Sequence, residues 1–369
     1  MNIKAGFDTI LPADSVEFCP HPDFLALFVC GTYKLEQPDS NGVPLGHEEE
    51  TSSSSAPKRQ HRSGQCLLFQ VESVNEESFS LKQRVSLPAI LDMKWCHRAA
   101  SATPILGIAD SEGNITIHEV DSQATKLKRI QSISCAPSEI LCLSLDWSNR
   151  RVPTTTLGPL VVSLSDGSLT ILRPQDQSGL TMTDSWAAHD FEPWIAAWDY
   201  WDTNVVYSGG DDLKFKGWDT RQGFSQPLFV NKCFDGGVTT IQSHPHSEHH
   251  LAVGSYDKIL RIFDTRNIRA PVSEFNVGGG IWRVKWHPSP RRASDILVAC
   301  MHDGFKVVRL NVAVNGAKTL LSQAEIVKRF DAHESLAYGA DWSFSPEGGD
   351  GTLVGSCSFY DHTLRLWKA

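Results

Sequence analysis

The sequence predicts a single all-β domain, a seven-bladed propeller, and three observations carry the prediction. Tryptophan recurs near the end of short apolar strands at nearly constant spacing. An acidic residue recurs downstream, six places before an aromatic or aliphatic one. The last repeat is one strand short, and the N-terminus holds a strand to spare.

The first column is read from "LDMKW" (Trp95), "LSLDW" (Trp147), "WIAAW" (Trp198), "WRVKW" (Trp286) and "YGADW" (Trp342), with "TTIQS" placing Ser243 in the same slot. The steps are 52, 51, 45, 43 and 56 residues, about one four-stranded blade each once loops vary. The second column pairs Asp212 with Trp218, Asp257 with Phe263, Asp361 with Trp367 and Asp166 with Leu172, while Glu112 and Asp303 fill the remaining acidic slots. The segments between are β-branched or aromatic, as half-buried strands are. This is the pattern of a WD40 repeat: a tight turn between strands b and c holds the acid, and strand c ends in Trp-Asp. A first unit around "SVEFCPHPDFLALFVCGTY" brings the count to seven blades. The final unit stops at Trp367, so "GFDTIL" near the N-terminus is expected to complete it, a closure that leaves no open sheet edge. One segment has no periodicity. Glu36–Gly64 is polar and Ser-rich, and is expected to be a disordered insert in the first blade.

With 369 residues the chain suits one large all-β domain. A net charge of -9 without a basic tract argues against nucleic acid as a partner. No apolar run approaches the roughly 20 residues that span a bilayer, and "MNIKAGFDTILPADS" lacks the apolar core of a secretory signal. Nine cysteines without a C-x-x-C pair read as reduced, buried thiols in a cytoplasmic protein. A monomer is expected.

Part of the acidic column is scaffold. His189, Ser208, Asp212 and Trp218 are expected to form one buried polar network of the repeat, and His333, Asp361 and Trp367 part of another, because buried polar groups must be paired. What the scaffold does not dictate is the residue just before each turn acid: Ser111, Ser165, Asp211, Tyr256, His302 and Tyr360. Four places before the tryptophan column stand Leu91, Leu143, Trp194, Thr239, Trp282 and Tyr338. Both sets face one mouth, and the aromatics fall in blades four to seven. They suit a pocket for a side chain or small group; they equally suit a protein-binding hot spot.

No nucleophile elbow, dinucleotide fingerprint, P-loop or zinc spacing is present, so neither cofactor nor metal is expected. "SHPHSEHH" (Ser243–His250) is a turn at the far end of its blade, without ligand spacing.

The phrases "YSGGDD", "KGWDTR", "GSYD", "GGGIWRVKWHP", "CMHDGFKV", "YGADWS" and "SCSFYDH" resemble the diphthine methylesterase family, the WD-repeat enzymes of diphthamide biosynthesis. The likeness is strong from Trp194 to Trp367 and weaker from Asp14 to Asp184. It implies hydrolysis of the methyl ester of diphthine on translation elongation factor 2, releasing methanol. The mouth residues are then candidates for that chemistry. Trp194, Tyr256, Trp282, Tyr338 and Tyr360 are expected to cage the trimethylammonium of diphthine, with Asp211 adding negative charge or merely capping its turn. His302 is the candidate general base, or a turn residue. Tyr360 or Tyr256 would protonate the leaving methoxide. Gly278–Gly280, Gly279 and Gly280 above all, would form an oxyanion hole or simply permit a tight crossing. Attack by water is the simpler route; Ser255 or Ser358 as nucleophile is the other.

The competing class is a non-enzymatic adaptor. "WDTR" (Trp218–Arg221) and "FDTR" (Phe263–Arg266) resemble the paired signature of cullin-4 ligase substrate receptors, with Arg221 and Arg266 on the bottom face. They are equally read as turn closures. A methyltransferase is disfavoured, since nothing resembles a Gly-rich cofactor loop on a βαβ unit.

Overall fold

The computed structural model describes residues 6–36, 60–75, 77–175, 179–315, 318–346 and 351–369. Among them seven antiparallel sheets form the seven expected blades, and the only helical elements are two single 3-10 turns, Pro22–Phe24 and Pro290–Arg292. The first strand of each blade, strand a, runs over Ala13–Phe18, Ile90–Cys96, Cys142–Trp147, Ile195–Trp198, Val238–Ser243, Arg283–Trp286 and Ala337–Trp342. Strands b, c and d follow outward from it in order.

The last blade is closed as the sequence predicts. Phe7–Asp8 pairs with Leu364 and Thr363, and the Thr9 amide donates to the His362 carbonyl at 2.8 Å. The tryptophan column has a job beyond filling space. The indole N–H of Trp95 donates to the Glu17 carbonyl, Trp147 to Lys94, Trp286 to Gln242 and Trp342 to Lys285, at 2.9–3.2 Å. Each such bond bolts a blade to the one before it, while the ring joins the buried layer between them. The first scaffold network is present in full. His189 bonds Asp212 and Ser208 through its two ring nitrogens at 2.8 Å, and Trp218 donates to Ser208 at 2.9 Å. In the second, His333 and Trp367 meet on Ser356, while Asp361 accepts from the Glu334 amide.

Two expectations need correction. Residues 37–59 of the anticipated insert lie outside the described residues, but its last three, Arg62–Gly64, open strand c of the first blade, where Arg62 and Ser63 pair with Lys34–Leu35 just before the insert. In the second blade the turn is capped by Asp110, which accepts from the amides of Glu112 and Asn114, so Glu112 does not hold the acidic slot. All nine cysteines are free thiols, and Cys233 alone is exposed.

The seven strands a converge on the propeller axis and line it with charge. Lys94 lies between Asp92 at 2.6 Å and Glu17 at 2.8 Å; Lys285 lies between Glu17 at 2.6 Å and Asp341 at 3.4 Å. Burial alone would raise the Glu17 carboxyl, but Lys285 and Lys94 outweigh it and hold it near 2. Paired in this way, the charges are tolerated in the interior.

Candidate active site

At its upper end strand a is irregular in most blades. The pairing register slips at Asp14, Leu91, Leu143 and Thr239 in blades one, two, three and five, and across Tyr338 and Gly339 in blade seven. A bulge of this kind bends the strand and re-aims a side chain. In blades four and six, Trp194 and Trp282 stand immediately ahead of strand a. Asp14, Leu91, Leu143, Trp194, Trp282 and Tyr338 thereby ring a cavity of about 390 Å³ at the upper mouth. Its walls are unlike. Blades two and three contribute leucines, whereas blades four, six and seven contribute aromatic rings.

The aromatic wall is continuous. The Trp282 ring stacks on Tyr338 at 4.9 Å and on Tyr256 at 6.2 Å, and Trp194 meets its edge at 5.7 Å. Tyr256 backs this wall without lining the cavity. Asp211 accepts from the Trp194 indole N–H at 2.7 Å, so its carboxylate fixes the orientation of a wall residue.

The first blade supplies what spacing did not reveal. Asp14 is only 6% exposed, lines the cavity, and its Oδ2 has no hydrogen-bond partner. Burial pushes its carboxyl up to about 7, against the pull of Arg283. Arg283 lines the same cavity and reaches Asp92 at 3.5 Å. The buried Trp282 Nε1 is likewise without a partner. A signal for Asp14 exists in the sequence. Phe18 occupies the tryptophan slot of blade one, pairing with strand b as the tryptophans do, and the residue four places earlier is Asp14.

Other expected site residues fall elsewhere. His302 and Tyr360 line a separate, shallower depression with Asp303, Asp331 and His333. The reason is local. Strand b of blade six ends at Ala299, three residues before His302, and Met301 takes a left-handed φ of 32°. The widened turn is tied to blade seven, where the Ala337 amide donates to the Met301 carbonyl at 2.8 Å. Tyr360 is 69% exposed and packs edge-on against Phe359, a cavity residue. Gly279 and Gly280 are buried in the crossing from blade five to blade six, outside the cavity lining. A Cβ at Gly279 would stand 2.2 Å from the Cys300 carbonyl, so close packing is what requires glycine there. Ser255 and Ser358 are fully buried and also outside the lining.

The opposite, lower mouth holds a larger cavity, about 670 Å³. Arg150 there pairs with Asp146 at 3.3 Å, and Arg151 lies over the Trp201 ring at 3.8 Å. Arg221 and Arg266 each grip the aspartate two residues before them, Asp219 and Asp264, through two guanidinium nitrogens, which closes their own turns. In the histidine-rich turn, the His244 and His246 Nε2 atoms bond the carbonyls of Ala293 and Pro288.

No family model matches the chain. Curated relatives do. It is 39% identical to the diphthine methyltransferase of mouse, over 93% of this chain and 70% of that protein. It is 35% identical to the diphthine methyltransferase homolog of Dictyostelium discoideum, over 96% of each. Among solved structures, a chain of the mitotic checkpoint complex superposes with a TM-score of 0.65 at 16% identity, covering 100% of this chain and 93% of that one, a likeness of fold alone.

Proposed function

The chain belongs to the diphthine methyltransferase family, and on that premise we propose that it hydrolyses the methyl ester of diphthine on translation elongation factor 2, yielding diphthine and methanol. One observation carries the reading. The upper cavity gathers an aromatic wall, Trp194, Trp282 and Tyr338, with carboxylates, Asp14 and Glu192, and guanidiniums, Arg62 and Arg283, the last 5.5 Å from the Trp282 ring. The substrate side chain has a matching pair of ends. Its trimethylammonium group prefers the faces of Trp and Tyr, at roughly 0.5–2 kcal/mol per contact. Its ester needs a proton acceptor for the attacking water and positive charge for the developing oxyanion. A cavity of about 390 Å³ suits one long modified side chain presented by a protein surface.

The name of these relatives speaks of methyl transfer. Ester cleavage is favoured for this cavity because it lies among β-strands, with no βαβ unit or Gly-rich loop in its walls. The test is incubation with elongation factor 2 carrying methylated diphthine. Release of methanol with loss of one methylene's mass from the factor is the expected outcome. No loss, or a gain of that mass on adding a methyl donor, overturns the reading.

A further inference from the structure

We propose that Asp14 is the catalytic base of this cavity, with Arg283 and the indole N–H of Trp282 receiving the charge that develops on the ester oxygen. The inference rests on the esterase reading, which by itself leaves open which group activates water.

Of the two carboxylates that line the cavity, Asp14 and Glu192, Asp14 is the buried one, with an oxygen that has no partner. Water attack needs a group that is inside the cavity, uncommitted and able to hold a proton. His302 lies outside, Asp211 is committed to Trp194, and both serines are sealed off. Asp14 lines the cavity from the bulge at the head of its strand, and its enclosed Oδ2 has no partner. A buried carboxylate oxygen without a donor is costly unless a ligand or water supplies one. The same cavity wall carries the converse defect, a buried indole N–H of Trp282 without an acceptor. An unspent acceptor and an unspent donor in one cavity are what a water and an ester carbonyl would satisfy together.

The step balances without a co-reactant. Asp14 takes a proton from water as the water oxygen bonds the ester carbon. The tetrahedral oxyanion faces Arg283 and Trp282. When it collapses the C–OCH3 bond breaks, and protonated Asp14 returns its proton to the departing methoxide. Methanol leaves, and the new carboxylic acid releases its proton to solvent.

The surroundings make Asp14 sensitive to pH in the working range. Burial raises it, Arg283 of blade six lowers it, Asp92 of blade two raises it and Lys94 lowers it, for a value of about 7. Tyr338 of blade seven, itself raised to about 12 chiefly by burial, stays neutral beside it. Glu17 on the same strand and Asp341 of blade seven face Lys285 further down the axis. A base with this value is ionised above neutrality and accepts a proton readily, the balance that general base catalysis favours.

The experiment is steady-state hydrolysis of methylated-diphthine elongation factor 2 by the whole protein across about pH 5 to 9. The wild type is expected to gain activity about tenfold per pH unit up to about pH 7 and then level off. Asp14→Asn is expected to lose kcat by about 10²–10⁴-fold, with KM little changed and the inflection gone. Asp14→Glu should restore part of the rate, which a purely structural role would not predict. A folded Asp14→Asn variant that keeps wild-type turnover overturns the inference while leaving the esterase reading intact. A wild type without any esterase activity overturns both. Should Asp14→Asn fail to fold, the wild-type profile decides, because a flat response through neutrality removes Asp14 as the base.

Discussion

The two mouths of the propeller differ in a way their sizes do not announce. The lower cavity is the larger, about 670 Å³ against 390 Å³. Its buried charges are matched, Arg150 by Asp146 and Lys285 by Glu17 and Asp341, while the exposed Arg151 lies over the Trp201 ring. One N–H of Arg150, Nε, stays unpaired, but the charge it belongs to does not. The upper cavity holds a buried carboxylate oxygen with no donor and an indole with no acceptor. Volume alone therefore does not choose between these openings, and unspent hydrogen-bonding capacity makes the smaller one the candidate site.

The comparison can be broken most directly at the aromatic wall. Trp282 touches Trp194, Tyr256 and Tyr338 at once. Trp282→Ala is expected to lower kcat/KM by about 100-fold or more, since it removes a cation-binding face and loosens its neighbours. The matching change below, Trp201→Ala, is expected to leave kcat/KM within about twofold. A large loss from the lower substitution alone would invert the assignment of the two mouths. Asp211→Asn offers a finer probe. It keeps an acceptor for the Trp194 indole but removes the charge, so KM should rise by about three- to tenfold with kcat nearly constant. Smaller still is His302→Ala, expected to alter kcat by less than about twofold because its depression is separate.

The smallest effect is one of stability, and its sign is informative. The folded value of Asp14, about 7, lies above the ordinary 3.8. Its contribution to stability is thus full below about pH 4 and is lost as pH rises through 7. Asp14→Asn cannot ionise and escapes that loss. Thermal melting should show the variant gaining on the wild type by about 1–2 °C between pH 5 and pH 8, even as activity disappears. A variant that loses ground over that interval would mark Asp14 as a structural residue.

The fold was legible because a propeller repeats its constraints. In four blades the tryptophan at the end of strand a reaches the preceding blade's carbonyl, and in most the turn acid caps its own turn, so both recur at fixed offsets. The aromatic wall was legible for the same reason, as Trp194, Trp282 and Tyr338 share one offset. Asp14 was passed over because Phe18 stands in the tryptophan slot of its blade, so the offset was never applied there. Arg283 was hidden inside "WRVKW", where a charge reads as part of a strand rather than as a lining of the axis. His302 failed for the opposite reason. Its offset was right, but the direction of a turn residue depends on where strand b stops and on the φ of Met301, neither of which spacing encodes.

The seal between Phe7–Asp8 and Thr363–Leu364 also sets an order of events. More than 350 residues separate the two strands, so the first waits for its partner while the blades between them are made. Until then the ring stays open, and strand a of blade one and strands a and b of blade six lack the blade-seven strand that packs against them. Asp14 sits beside that gap, next to blade seven. The cavity therefore becomes complete only once blade seven is made, and a chain that stops before Tyr338 would lose a wall of the site together with the closure.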